Sequence, residues 1–268
     1  MGFFDWLFLG RKPKKLRIGL ALGSGGAKGF AHLGALKAFE ENGIEFSVFA
    51  GTSIGSIVGA FLAEGYSSTD IFELLKNMDL GDLKNLFMMS IDSSSVCKII
   101  DREIGYKNIE ELNKPFAAIA TDLLTGKEKV FEHGNVAKAL CASSAIPPVF
   151  KPVEIDGVKY IDGAFTNSVP ADVVRKLGAD YVIGIDLSTH EQKSGVVKKI
   201  FPSYQSDIKE PWQKGYEFSD IMIKPNLKGY SAYSVSSGAD MYDIGYNAAM
   251  EVMSKIISDI KVISRKRK

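Results

Sequence analysis

The chain has 268 residues, of which 46% are apolar, so it is long enough to bury the core of one domain. Its 33 Lys and Arg residues nearly balance 32 Asp and Glu residues, which argues against the strongly basic character of a nucleic-acid-binding protein. Cys97 and Cys141 lie far apart without C-x-x-C spacing, so we expect reduced thiols in a cytoplasmic protein. The spacing of the three histidines predicts no metal site, and no cofactor is expected.

Residues 1–17 are the part of the chain that indicates contact with a membrane surface. The apolar segment MGFFDWLFLG is followed by the basic run RKPKKLR. The segment is too short to span a bilayer, and its charges follow the apolar stretch, unlike those of a secretory signal. An interfacial anchor on the inner face of the membrane and a segment folded against its own domain both remain open. We expect an amphipathic segment at 1–15, one domain at 16–260 and a basic tail at 261–268.

Short β-branched runs alternate with helical patterns, which predicts an α/β domain with a wound sheet. Strands are predicted at 16–22, 46–50, 116–123 and 181–187 and in DIMIKP, and helices at 27–43, 54–66 and 68–78, from Val136 to before Pro147, and within 239–260. Asp156-Gly157 predicts a β-hairpin turn. Residues 80–113 give the weakest signal and are expected to be helical in pieces. The long polar stretch 188–219 is where a flap or insertion would lie.

The first glycine-rich turn, LALGSGGAKG, follows a predicted strand and opens a helix. It does not match a dinucleotide-binding loop, because the sixth position counted from Gly23 is Lys28 and not glycine. It is not a Walker-type phosphate loop either, since no Gly-Lys-Ser/Thr follows. Consecutive glycines before a helix present unobstructed N–H groups, so the turn favours binding of an anion.

The second turn, Gly51-Thr52-Ser53-Ile54-Gly55, matches G-x-S-x-G between a predicted strand and a predicted helix. This context predicts a nucleophilic Ser53 at the carboxyl end of a strand. A membrane span is the alternative, because residues 46–63 carry no charge and Gly59 extends a G-x-x-x-G spacing. The run is short and contains many small polar residues, so we interpret it as a buried strand and helix, with Gly59 at a close helix contact.

A nucleophilic serine needs a base, and the sequence offers histidines and strand-end aspartates. No motif surrounds any of the histidines, His32, His133 and His190. Three apolar runs end in aspartate, at Asp122, Asp162 and Asp186. Asp162 differs from the other two because Gly163 follows it and Asn167 lies close enough to brace the loop. From the residues alone, an Asp-Gly turn without catalytic function is the simpler interpretation of Asp162.

Three motifs together resemble the patatin-like phospholipase family of serine acyl hydrolases: GSGGAKG at 23–29, GTSIG at 51–55 and DGA at 162–164. They occur in the family's order and approximate spacing. The segment ASSAIPPVFKPVEIDGVKYIDGAFTNSVP is also similar to the family's approach to its aspartate. The likeness covers most of residues 16–260. It implies a three-layer α/β/α fold with a central, mostly parallel sheet, related to the α/β-hydrolase architecture.

The resemblance also implies roles for individual residues. Ser53 matches the nucleophile and Asp162 the base of a Ser-Asp dyad, and Gly25 and Gly26 match the backbone donors of an oxyanion hole. Supporting positions are expected at Lys28, Gly51, Gly55, Gly163 and Asn167. Ser24 departs from the family's usual glycine, which affects the expected geometry of this loop. The implied function is hydrolysis of a lipid or acyl ester through an acyl-enzyme, without metal or cofactor. A peripheral membrane adaptor that keeps the fold with little activity is the alternative.

Overall fold

The computed structural model describes residues 15–77, 94–188 and 210–267. The strands are β1 (Ile18–Leu22), β2 (Val48–Thr52), β3 (Phe116–Asp122), β4 (Glu128–Phe131), β5 (Val153–Ile155), β6 (Val158–Asp162), β7 (Tyr181–Ile185) and β8 (Ile221–Ile223). The helices are α1 (Phe30–Glu41), α2 (Ile54–Glu64), α3 (Ser68–Asn77), α4 (Ser94–Ile104), α5 (Val136–Ser143), α6 (Ala171–Lys176), α7 (Gln213–Phe218) and α8 (Gly238–Arg265). Short 3₁₀ turns occur at Gly26–Gly29, Ile109–Glu111, Gly163–Phe165 and Val235–Ser237.

The eight strands form one sheet in the order β5-β6-β3-β2-β1-β7-β8, with β4 also paired to β3. The neighbours among β3, β2, β1, β7 and β8 run parallel, whereas β4 and β6 pair antiparallel with β3 and β5 pairs antiparallel with β6. The expectation of a mostly parallel sheet is therefore confirmed. The carboxyl ends of β1 and β2 lie side by side in the middle of the sheet, which is where open α/β sheets bind their ligands.

Each face of the sheet packs against its own apolar layer. Along β1, Leu20 and Leu22 belong to the larger core, whereas Ala21 belongs to a second core that includes Val174 of α6 and Val182 of β7. This alternation follows from the pleat of a strand, in which successive side chains point to opposite faces. Apolar layers on both faces produce the three-layer α/β/α arrangement that the resemblance implied.

Helices α1 and α8 pack so closely that two glycines are required. A Cβ atom on Gly34 would lie 1.9 Å from the Tyr242 carbonyl oxygen, and one on Gly245 would lie 2.0 Å from that of Ala31. Helix α8 continues to Arg265, so the predicted boundary after residue 260 falls inside it. Just beyond the helix, the Arg267 guanidinium forms a salt bridge with Asp180 at 2.6 Å.

Most of the predicted elements are confirmed, including the hairpin at Asp156-Gly157, where both residues have positive φ values of 51° and 78°. The short helices α6 and α7 were not predicted. The run 46–63 forms β2 and α2, and a Cβ atom on Gly59 would lie 3.1 Å from the Phe116 ring, as expected for close packing. None of the helices in the described ranges is long and apolar enough to cross a membrane. Residues 1–14, 78–93 and 189–209, with their predicted anchor and flap, lie outside the described residues.

The expectation of reduced thiols is wrong. Cys97 of α4 and Cys141 of α5 are joined by a disulfide, with 6.0 Å between their Cα atoms. Sequence spacing could not show this, because the two helices pack together only in the folded chain. A cytoplasmic location stays a prediction and has lost its support from free thiols.

Candidate active site

Ser53 lies at the sharp turn between β2 and α2. Its backbone has φ 56° and ψ −127°, a strained conformation for a residue with a side chain. The neighbouring glycines make the turn possible: a Cβ atom on Gly51 would lie 2.1 Å from the Gly55 carbonyl oxygen, and one on Gly55 would lie 2.2 Å from that of Leu22. The turn therefore has the tight strand-to-helix geometry that the G-x-S-x-G pattern predicts, and the nucleophilic role of Ser53 stays a prediction.

Three hydrogen bonds hold this turn in place. The Ser53 backbone N–H donates to Ser143 Oγ at 2.9 Å, and the Ser56 hydroxyl donates to the Ser53 carbonyl oxygen at 2.6 Å. The Thr52 hydroxyl donates to the Asn167 carbonyl oxygen at 2.7 Å. The surroundings thus compensate for the backbone strain at Ser53.

Asp162 is the last residue of β6, and β3 lies between β6 and the strand β2 that leads to Ser53. The Ala164 N–H donates to Asp162 Oδ1 at 2.8 Å, and the Ser53 side chain lies near enough to the carboxylate to lower its pKa by hydrogen bonding. Asp162 is almost fully buried, and this burial raises its pKa to about 6, against the opposing effect of the two hydrogen bonds. Gly163 is required here because a Cβ atom on it would lie 2.3 Å from the Ile119 carbonyl oxygen.

The glycine loop after β1 lies beside the elbow. A Cβ atom on Gly29 would lie 2.3 Å from Ile54 Cγ1, and one on Gly55 would lie 2.7 Å from the Gly23 carbonyl oxygen. The loop residues around Gly25 and Gly26 use their backbone N–H groups in the fold: Gly23 to Ile185, Ser24 to Ser168, Ala27 to Ala232 and Lys28 to Gly25. The N–H groups of Gly25 and Gly26 find no acceptor within the described ranges. Two adjacent donors are thus available to a ligand.

A family model described as patatin-like phospholipase matches residues 20–175 of the chain, and this span includes the elbow, Asp162 and the glycine loop. The chain belongs to the patatin-like phospholipase family. The chain is 37% identical to an uncharacterized NTE family protein of Mycobacterium bovis, with 65% of this chain and 50% of that protein covered. It is 34% identical to human patatin-like phospholipase domain-containing protein 6, with 65% of this chain and 14% of that protein covered. The chain therefore spans half or less of the length of these relatives.

Solved structures support the assignment of this patatin-like domain at the level of the fold. Superposition on VipD from Legionella pneumophila gives a TM-score of 0.55 at 14% identity and covers 90% of this chain and 67% of that one. Superposition on human GIVD cytosolic phospholipase A2, solved with a fluorophosphonate inhibitor, gives a TM-score of 0.56 at 10% identity and covers 98% and 61% of the two chains.

His32 and His133, the two histidines of the patatin-like domain within the described residues, contact groups other than the Ser53 side chain. His32 is fully buried in α1, and its Nε2 contacts the Gly23 carbonyl oxygen at 2.8 Å. A carbonyl only accepts, so Nε2 carries the proton and donates. Burial lowers the pKa of His32 to about 4, so the ring is neutral at ordinary pH. His133 is exposed, and His190 lies outside the described residues.

The remaining predicted residues of the patatin-like domain have structural contacts. Asn167 is buried and donates from Nδ2 to Asp172 at 2.8 Å, which connects the loop after Asp162 to helix α6. Asp122 Oδ1 accepts from the N–H groups of its own turn, and Asp186 accepts from the Tyr216 hydroxyl at 3.1 Å. Lys28 lies in the 3₁₀ turn Gly26–Gly29.

Sequence reasoning missed three contacts of this site, which involve Thr52, Ser143 and His32. Thr52 and Ser143 each bond to a backbone group of a distant segment, and the His32 ring bonds to the Gly23 carbonyl nine residues away, so no spacing rule indicates these partners. Thr52 and Ser143 are small hydroxyl residues in otherwise apolar surroundings, and this signal is too common to single out their positions.

Proposed function

We propose that the protein is a lipid acyl hydrolase that uses Ser53 as nucleophile and Asp162 as general base. The observation that carries this proposal is the strained turn at Ser53, whose side chain lies beside the buried Asp162 carboxylate and lowers its pKa by hydrogen bonding. Burial raises the pKa of Asp162 to about 6, which makes it a stronger base than an exposed aspartate while leaving it ionised at neutral pH.

The reaction then needs two chemical steps. In the first, Ser53 Oγ attacks the ester carbonyl carbon as its proton passes to Asp162, and the amides of Gly25 and Gly26 stabilise the oxyanion. The protonated Asp162 then delivers that proton to the departing alcohol, leaving an acyl group on Ser53. In the second, Asp162 takes a proton from water, the hydroxide oxygen attacks the acyl-enzyme, and the fatty acid leaves as Ser53 regains its proton.

The proposed scheme uses Asp162, and no histidine, as the general base. His32 donates its Nε2 proton to a backbone carbonyl, and His133 is exposed. The name of the human relative, patatin-like phospholipase domain-containing protein 6, supports an acyl-ester substrate, and we infer a lipid from this name and from the apolar residues in segment 1–10. We also propose that residues 1–17 hold the domain on an anionic membrane surface.

Labelling with a fluorophosphonate probe, followed by peptide mapping, tests the catalytic proposal. The probe should modify Ser53 in the wild-type chain, and Ser53→Ala should lose both labelling and hydrolysis of p-nitrophenyl acyl esters. Ser254 is an exposed serine of α8, so Ser254→Ala is the matched control and should keep both. Hydrolysis that persists in Ser53→Ala would refute the proposed nucleophile.

The alternative of a membrane adaptor predicts a different pair of results. An adaptor would bind anionic liposomes but would neither take up the probe nor hydrolyse esters of any acyl length. A panel of phospholipids, lysophospholipids and neutral glycerides, assayed with the same two variants, would then identify the preferred ester of an active protein.

A further inference from the structure

We infer that Ser143 is a positioning residue that holds Ser53 in register with Asp162. The inference rests on the proposed function, because it assigns a role in placing the proposed nucleophile. Ser143 is the last residue of α5 and is fully buried. Its Oγ accepts a hydrogen bond from the Ser53 N–H at 2.9 Å.

The need for such a residue follows from the backbone of Ser53. A residue with a side chain is strained at φ 56° and ψ −127°, and it stays there only when its surroundings hold it. The Ser53 N–H donates its hydrogen bond to Ser143 Oγ and not to a backbone carbonyl of the elbow. Loss of the Ser143 hydroxyl would leave this amide without its acceptor at a buried position, which favours a shift of the turn.

The same short segment also holds the base. The Asp162 N–H donates to the Ala145 carbonyl oxygen at 3.0 Å, two residues after Ser143. Segment 143–145, which spans the last residue of α5 and the two residues after it, therefore bonds to the Ser53 backbone through Ser143 and to the Asp162 backbone through Ala145. Segment 143–145 thus holds the backbones of both residues, and it fixes how the Ser53 side chain is placed relative to the Asp162 carboxylate whose pKa it lowers.

The neighbouring Ser144 provides a matched control. It lies one position further along and caps the same helix, but its buried Oγ has no hydrogen-bond partner among the described residues. Ser143→Ala and Ser144→Ala remove the same hydroxyl from adjacent sites, so any common effect on helix packing appears in both variants. An effect of the contact with Ser53 appears only in the first.

The experiment compares steady-state hydrolysis of a p-nitrophenyl ester and the rate of fluorophosphonate labelling in wild type, Ser143→Ala, Ser144→Ala and Ser143→Thr. We expect Ser143→Ala to lower kcat and the labelling rate about 10- to 100-fold with KM within about two-fold, because the nucleophile is displaced while the substrate site is intact. Ser144→Ala should stay close to wild type. Ser143→Thr keeps a hydroxyl and should recover most of the rate.

The outcomes separate this inference from the proposed function. A wild-type protein that neither hydrolyses nor labels would overturn both. An active wild type with equal rates in Ser143→Ala and Ser144→Ala would overturn only the role of Ser143, as would a loss confined to KM. If Ser143→Ala does not fold, Ser143→Gly takes its place. A wild-type kcat in Ser143→Gly would likewise overturn the role of Ser143.

Discussion

The Thr52 hydroxyl donates a hydrogen bond to the Asn167 carbonyl oxygen at 2.7 Å. Thr52 directly precedes Ser53, and Asn167 lies five residues after Asp162. Both side chains are fully buried, and Asn167 is itself held by Asp172. The contact thus connects the elbow with the aspartate loop at a second point, away from the end of α5.

Thr52→Val should therefore weaken both the fold and the catalysis, because it replaces the hydroxyl by a methyl group of similar size and leaves the Asn167 carbonyl unpaired. We expect the free energy of unfolding to fall by about 1–3 kcal/mol. Urea denaturation and ester hydrolysis measure the two effects. Thr52→Ser keeps the hydroxyl and should keep the ester hydrolysis rate near wild type. Equal activity in both variants would show that the contact does not position Ser53.

Gly26→Ala should disable the proposed oxyanion hole. Gly26 has φ 57°, and a Cβ atom on it would lie 2.6 Å from the Ala232 carbonyl oxygen, so the loop must move. Loss of one donor costs about 10²- to 10³-fold in kcat. Gly43→Ala is the control, since Gly43 has φ 69° and no atom within 4 Å of the added Cβ. It carries similar backbone strain and should lower the melting temperature without lowering kcat. A kcat loss of the same size in Gly43→Ala would attribute the effect to general destabilisation.

The pH dependence of kcat/KM should report the ionisation of Asp162. The proposed base acts only when deprotonated, and burial raises its pKa to about 6. We expect kcat/KM to rise about tenfold per pH unit below this value and to level off above it. A stopped assay over pH 4.5–8 measures the profile. A plateau that extends down to pH 4.5 would contradict the assignment of Asp162 as base.

Asp162→Asn should make the protein inactive but more stable at neutral pH. The folded pKa of about 6 lies above the ordinary aspartate value of 3.8, so the folded state binds the proton more tightly. The Asp162 carboxyl therefore costs stability as the pH rises from 3.8 to 6, in total about 3 kcal/mol at about 1.4 kcal/mol per pH unit. Denaturation at pH 8 should show this gain in Asp162→Asn, and the gain should disappear near pH 4. A variant that is less stable than wild type at pH 8 would refute the expectation.

The buried His32 should make the protein less stable as the pH falls, which is opposite to the effect of Asp162 over a similar pH range. Its folded pKa of about 4 lies below the ordinary histidine value of 6.5, because burial disfavours the charged ring. Stability is therefore full above pH 6.5 and is lost as the pH falls toward 4, by up to about 3 kcal/mol. His32→Gln keeps an amide donor for Gly23 but does not titrate, so this part of the acid-induced loss should vanish. His133→Gln, at an exposed position, should keep the wild-type slope. An unchanged slope in His32→Gln would exclude His32 as its source.

Local patterns predicted most of the sheet, the principal helices and the Ser53 elbow. Strands and helices are recognised from periodic patterns within short windows of sequence. A G-x-S-x-G motif between a strand and a helix indicates a sharp strand-to-helix turn, so this feature is also local. The short helices α6 and α7 were missed because six residues give too little periodicity to recognise. Choosing Asp162 over Asp122 and Asp186 required the family resemblance, since all three end apolar runs.

The contacts that hold the site were decided only by the folded chain. Ser143 is 90 residues from Ser53, and Asn167 is 115 residues from Thr52. The pairing of Cys97 with Cys141 and the burial that raises the pKa of Asp162 likewise arise from packing between distant elements. Sequence order encodes which residues can take part in such contacts, because it sets their chemistry and local conformation. Which of them meet depends on how the helices and strands stack, and that is a property of the whole core.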